Sequence, residues 1–143
     1  MDSDGGFYLL EESPTAQERI EIRKAVGWGE PDCDAAAVSV ANCIYSVCIR
    51  CEAKLIGLGR VVGDGGLYYC LQDVLILPEF QGRGLGAAIM DNLMAYLRSH
   101  VKPRAVIGLL AAKGKEPFYE KFGFIARPTE TLGNGRCQFV IGD

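Results

Sequence analysis

The chain has 143 residues, 49% of them hydrophobic, and carries a net charge of −3. Length and apolar content suit one domain over residues 1–143, a sheet covered by helices. The acidic balance argues against nucleic acid as the main partner, because counterion release needs a basic footprint. No apolar run reaches the roughly 18 residues that a membrane span requires, and the acidic start Met1-Asp2-Ser3-Asp4 is unlike a signal peptide. The expectation is a cytoplasmic protein with no membrane partner.

Phe7-Tyr8-Leu9-Leu10 reads as a first strand. Ser13-Pro14 then suits a helix start, with Ser as N-cap and Pro at the first helical position, and the helix runs to about Gly27. A second helical stretch covers residues 34–41, with Asp34 as its cap. From Tyr45 the pattern changes to β-branched and aromatic residues: strands over 45–52 and 55–62 are joined by a turn at Ala53-Lys54. Gly63-Asp64-Gly65-Gly66 is the next turn, and a third strand covers residues 67–77. Six cysteines (Cys33, Cys43, Cys48, Cys51, Cys70 and Cys137) are read as reduced thiols. Cys48 and Cys51 stand three apart in a strand, on opposite faces, and chelate poorly, so no metal is expected.

The third strand runs through Leu75-Ile76-Leu77-Pro78-Glu79-Phe80 into Gln81-Gly82-Arg83-Gly84-Leu85-Gly86-Ala87 and then a helix over residues 84–99. Glycines let the backbone approach a ligand, and the uncapped N–H groups of the helix start favour an anion, beside the cation of Arg83. The spacing is not that of a dinucleotide fingerprint, whose glycines fall at first, third and sixth places, nor is there the Gly-Lys-Ser/Thr of a Walker loop. Gln81, Gly84 and Gly86 resemble the acyl-CoA pyrophosphate loop of the GCN5-related N-acetyltransferase (GNAT) superfamily: Gln or Arg, two residues, Gly, any residue, Gly or Ala.

Leu85, Ala88, Ile89, Asn92, Leu93, Tyr96 and Leu97 form a core-facing stripe on that helix. The apolar run over residues 105–110 lacks alternation, as a strand buried on both faces does, and follows a helical crossover, which makes it a parallel neighbour. Phe118-Tyr119 with Gly123-Phe124 resembles a second GNAT pattern, in its last helix and the strand that Phe124 restarts. The Asn that many members place seven residues before this Tyr is Ala112 here, so Lys113 or Lys115 would have to supply its contact. Residues 136–141 read as a final strand. The resemblance covers about residues 55–124. It implies a mixed α/β (α+β) fold: a sheet of six to seven strands, an antiparallel N-terminal meander, a central parallel pair, and about four flanking helices.

The resemblance further implies an acetyl-CoA-dependent N-acetyltransferase with direct transfer to a primary amine. The cofactor side would comprise backbone around Leu75, Ile76 and Leu77, where splayed strands leave amides without ladder partners. It would continue through Gln81, Gly82, Arg83, Gly84, Leu85, Gly86 and Ala87, with Lys113, Lys115 and Phe118. Tyr119 stands where many members place a hydroxyl near the cofactor sulfur, the general acid unless it merely packs. Alternation sets Asp73 and Leu75 on one face, so the Asp73 carboxylate is a candidate to hold the acceptor ammonium or relay its proton; the competing reading is a structural carboxylate. Trp28, Glu30 and Gln72 are candidate acceptor contacts. The run Gln72-Asp73-Val74-Leu75-Ile76 also resembles a short acidic-Asp-Val-Val-Val stretch of glucosamine-phosphate N-acetyltransferases, with Gln72 in place of an acid. The expected acceptor is a small-molecule amine, such as an amino sugar or polyamine; a protein acceptor and a non-catalytic acyl-CoA sensor are the alternatives. Such folds often form homodimers through edge strands.

Overall fold

The computed structural model describes residues 2–3 and 6–140. They fall into two compact units, Met1–Leu110 and Ala111–Asp143.

The first unit is a six-stranded sheet in the order of the chain: β1 (Asp2–Ser3), β2 (Phe7–Leu10), β3 (Tyr45–Cys51), β4 (Lys54–Gly63), β5 (Tyr68–Ile76) and β6 (Val106–Gly108). Every neighbouring pair is antiparallel except β5 and β6, which run parallel from Tyr68↔Val106 to Cys70↔Gly108. Three helices belong to this unit: α1 (Ala16–Ala25), α2 (Cys33–Ala41) and α3 (Leu85–His100), with a short 3-10 turn at Pro78–Phe80. Among the described residues no helix is long and apolar enough to cross a membrane.

Local signals explain where the elements begin. The N-cap of α1 is Thr15, not Ser13: its hydroxyl accepts from the Glu18 N–H at 3.0 Å while Glu18 Oε1 accepts from the Thr15 N–H at 2.9 Å. That reciprocal pair satisfies two helix-end donors and outweighs the Ser-Pro signal upstream. Asp32, rather than Asp34, caps α2 by accepting from Ala35 N–H. The β3–β4 turn falls at Glu52 and Ala53, both left-handed, one residue before the expected turn. Asp64 organises the β4–β5 turn by accepting from the N–H groups of Gly66, Leu67 and Tyr68.

The core lies between the sheet and α3. Leu85, Ile89, Met90, Leu93 and Leu97 are buried, and Ile89 and Leu93 lie over two glycines of β4. A Cβ at Gly59 would meet Ile89 Cγ2 at 2.3 Å, so only glycine admits the helix this close. Ala88, Asn92 and Tyr96 of the expected stripe are only partly covered, whereas Met90, outside it, is fully buried. The strand expected over residues 105–110 contracts to three residues, and Val106 is exposed, so it is not buried on both faces.

The second unit holds α4 (Glu116–Glu120). Phe118 meets Tyr119 and Phe122 edge-on at 5.1 and 5.4 Å, and Tyr119 meets Phe124 at 6.5 Å. The Gly123 N–H bonds to Glu120 O and its φ of 91° turns the chain away from the helix. Neither Phe124 nor residues 136–140 form strand, contrary to the pattern of their residues; Ile141, the end of the expected last strand, lies outside the described residues. Phe118, Tyr119, Phe122 and Phe124 pack on one another rather than along a ladder.

Candidate functional site

The β5 strand leaves its parallel neighbour early. The β6 ladder ends at Cys70↔Gly108, six residues before β5 itself ends at Ile76. On the other side β5 stays paired with β4 as far as Gly57↔Ile76, and Leu77 donates its N–H to Ile56 O at 2.9 Å. Backbone direction alternates along a strand, so Leu75 and Leu77 turn their amides toward β4 and Ile76 turns its N–H to the side that β6 has vacated. Of Leu75 and Ile76, the two residues expected to offer free amides, alternation turns Ile76 to the vacated side and Leu75 toward β4; the Leu77 amide is spent within the sheet. Their side chains are buried, between 5% and 8% exposed.

The strand then enters the glycine turn. Gln81 Nε2 donates to Ile76 O at 2.9 Å, so this side chain braces the turn rather than projecting from it. Gly82 and Gly84 adopt φ of 78° and 79°, a left-handed conformation that glycine takes without Cβ strain, and the space where a Cβ would stand is open at both. Gly84 is the N-cap of α3 and has no side chain to cap with. The first N–H groups of this 16-residue helix, including those of Leu85, Gly86 and Ala87, therefore lack a side-chain cap. The Arg83 guanidinium stacks over Phe80 at 5.5 Å and Phe7 at 5.8 Å, which holds a cation beside the turn. Free amides, a helix dipole and a fixed cation suit a pyrophosphate, and the vacated edge of β5 suits an amide-bearing arm running on from it. These residues fit acetyl-CoA.

At the far end of that edge the β4–β5 register shifts: Leu58 faces Leu75 but Arg60 faces Gln72, so Asp73 and Val74 together oppose Gly59. This β-bulge puts Asp73 at a φ of 53° and breaks the simple alternation expected for Asp73 and Leu75. The Asp73 side chain is 1% exposed and is surrounded by guanidinium groups. Arg19 of α1 donates through Nε at 2.9 Å and Arg60 through Nη1 at 2.8 Å, both to Oδ2; Arg23 of α1 donates through Nη1 to Oδ1 at 2.6 Å. Arg60 also reaches back to Ser39 of α2, donating to its carbonyl at 2.8 Å. Burial opposes the carboxylate charge, but the hydrogen bonds of Arg60 and Arg19 and the charges of Arg19 and Arg23 prevail and hold Asp73 below the usual range. The carboxylate thus ties α1 to the sheet directly and α2 through Arg60, and both its oxygens are engaged by guanidinium groups.

Sequence reasoning missed these arginines. Arg19 and Arg23 stand four apart, the spacing that puts two side chains on one helix face, but nothing local shows that they converge on a residue 54 and 50 positions away. Arg60 sits in an apolar strand where a buried cation signals a buried partner. Trp28 lies against Arg23, 5.4 Å from guanidinium carbon to ring centre, and is 41% exposed. Glu30 is exposed and reaches Lys24 at 3.9 Å. Gln72 donates to Cys70 Sγ at 3.1 Å.

In the second unit Lys113 and Lys115 are exposed, Phe118 is partly covered, and burial raises the Tyr119 phenol above its ordinary range.

Comparison with known proteins gives the same picture. The Acetyltransferase (GNAT) domain model matches residues 42–126. An uncharacterized N-acetyltransferase, ycf52, of Porphyra purpurea is 38% identical over 120 residues, 81% of this chain and 68% of that protein. The chloroplastic GCN5-related N-acetyltransferase 2 of Arabidopsis thaliana is 38% identical over 82 residues, 57% of this chain and 31% of its own length. Among solved structures, a probable acetyltransferase of meticillin-resistant Staphylococcus aureus superposes with a TM-score of 0.85 at 28% identity, over 94% of this chain and 99% of that one.

Proposed function

The chain belongs to the GNAT acetyltransferase family, whose members generally take acetyl-CoA as acyl donor, and we propose that this enzyme transfers acetyl directly to the primary amine of a small-molecule acceptor. The observation that carries the reading is the early separation of β6 from β5 directly before an uncapped, glycine-bearing helix start. One continuous edge thereby offers backbone donors for a thioester arm and an anion site for its pyrophosphate.

In this reading the Ile76 N–H binds the arm, while Gly82, Gly84 and the first amides of α3 hold the phosphates beside Arg83. The amine nitrogen attacks the thioester carbonyl, a C–N bond forms and the C–S bond breaks. The proton on the departing thiolate comes from Tyr119, a role proposed from its position in the family motif. The proton lost by the amine passes to water, because the Asp73 oxygens are already engaged. Asp73 is a positioning residue here: it holds α1 and α2 against the bulge. Trp28, Glu30 and Gln72 remain the proposed acceptor contacts, and Lys113, Lys115 and Phe118 the proposed cofactor contacts of the second unit. A single catalytic domain over residues 1–143 and a cytoplasmic location belong to the same proposal.

The test is release of free thiol from acetyl-CoA with a panel of amines, amino sugars, polyamines and peptides, beside calorimetry of acetyl-CoA binding. Small-amine turnover supports the reading. Turnover with peptides alone would move the acceptor to proteins, and tight binding without turnover would make the chain a sensor.

A further inference from the structure

The charge around Asp73 has the wrong sign for an ammonium group. Among the described residues, Arg19, Arg23 and Arg60 make their ion pairs with this one carboxylate, so the cluster keeps a surplus of two positive charges. Arg19 and Arg60 are sealed in, with side chains 11% and 2% exposed. Arg23 is the outermost member, at 24%, and its Nε is enclosed and without a hydrogen-bond partner. A surplus of like charge at low dielectric is costly, and an anion arriving at the exposed part of Arg23 relieves it. Trp28 flanks the same guanidinium and offers an exposed flat wall.

We propose that the acceptor is an amine bearing a carboxylate or phosphate group a short distance from its nitrogen, and that Arg23, beside Trp28, binds that anion. This rests on the acetyltransferase reading above and specifies its substrate class. Polyamines and other multiply cationic acceptors are disfavoured by the same field. Arg23 suits the task geometrically: Nη1 is held on Asp73 at 2.6 Å, which orients the planar fork, and at 24% its side chain is the most exposed of the three arginines. The cluster stands at the bulge of β5, beyond the end of the β6 ladder, along the edge where the arm of the donor would run.

The experiment compares matched amines on the full chain: 3-aminopropanoate and 2-aminoethyl phosphate against n-propylamine, ethanolamine and 1,3-diaminopropane. Initial rates are read as thiol release and amine affinities by calorimetry on the protein saturated with coenzyme A. The anionic members are expected to show kcat/KM or affinity higher by roughly tenfold to a hundredfold, the range of a charge-assisted hydrogen-bonded pair. Their ranking separates carboxylate from phosphate. In Arg23→Gln that ratio should fall to within a few-fold, and Arg23→Lys should restore part of it, with the thermal midpoint and acetyl-CoA affinity reporting that each variant folds. Turnover with equal or better use of neutral or dicationic amines would overturn the inference and leave the acetyltransferase reading standing. Tighter binding of the anionic amines without turnover would support the inference while removing the reading it rests on. If the variants do not fold, the comparison on the parent chain decides alone.

Discussion

Asp73 and Arg60 meet across the bulge of the β4–β5 pair, Arg60 Nη1 to Asp73 Oδ2 at 2.8 Å, with both side chains no more than 2% exposed. An aspartate at a left-handed φ is strained by about 1–3 kcal/mol and persists because its surroundings hold it. Three arginines from two elements supply that hold.

Asp73→Ala should therefore be a stability variant first. Removing the shared carboxylate leaves enclosed guanidinium groups facing one another, at a cost of about 3–5 kcal/mol. Urea unfolding followed by circular dichroism measures it. A variant that keeps its midpoint and only raises the acceptor KM would restore the substrate-holding role expected from its position.

Acid should loosen the base of α1 before it reaches the rest of the fold. Glu18 bonds to Arg50 at 2.6 Å and caps its own helix, which lowers its pKa from 4.5 to about 2, the Arg50 hydrogen bond being the largest cause. A depressed carboxylate stabilises fully above its unfolded pKa and loses that contribution as pH falls through the folded value. The window runs from about pH 4.5 down to about 2, in which Glu18→Gln should flatten the stability profile. After screening of this part-exposed pair the lost contribution is roughly 1–2 kcal/mol. Thermal midpoints of parent and variant across that window settle the point.

Gly86→Val, in the first turn of α3, should abolish acetyl-CoA binding with most of the fold retained, since a branched side chain obstructs the approach of phosphate to the helix amides. Gly84→Val is the harsher test, because its φ of 79° strains any side chain and the helix start would shift as well. Calorimetry beside thermal melts separates loss of ligand from loss of fold. Unchanged affinity in folded Gly86→Val would remove the cofactor site from this loop.

Tyr119→Phe keeps the ring, so the contacts with Phe118 and Phe124 survive and acetyl-CoA affinity should change little. As a proton donor the hydroxyl should be worth roughly 10²-fold in kcat, the lower end of general acid assistance, because a coenzyme A thiolate leaves readily. Steady-state kinetics over pH reads this. Turnover within about twofold of the parent is too small for that role and would return the tyrosine to packing alone.

All six cysteines are free thiols, and they should differ sharply in reactivity. Cys33 and Cys137 are exposed, whereas burial pushes the Cys48 thiol up to about 12. Mass spectrometry after alkylation at neutral pH should find Cys33 and Cys137 labelled and Cys48 untouched. Direct transfer requires no acyl-cysteine, so a trapped acetyl-thiol on the chain would change the mechanism.

The glycine turn, the three-strand meander and the helix that follows were legible from residues alone, because each rests on short-range chemistry. Gly82 and Gly84 are needed where φ is positive, Asp64 folds its own turn, and the stripe Leu85, Ile89, Leu93, Leu97 repeats at helical spacing. The true start of α1 is local as well, since Thr15 and Glu18 carry the reciprocal signature that Ser13-Pro14 lacks. What tertiary structure alone decided was the environment of Asp73. Its neighbours in space come from positions 19, 23 and 60, and the bulge that turns it toward them arises from a register shift between two strands, which no period within one strand encodes. A carboxylate read by itself invites an ammonium. Set among three guanidinium groups, the same carboxylate is taken, and the charge left over belongs to an anion.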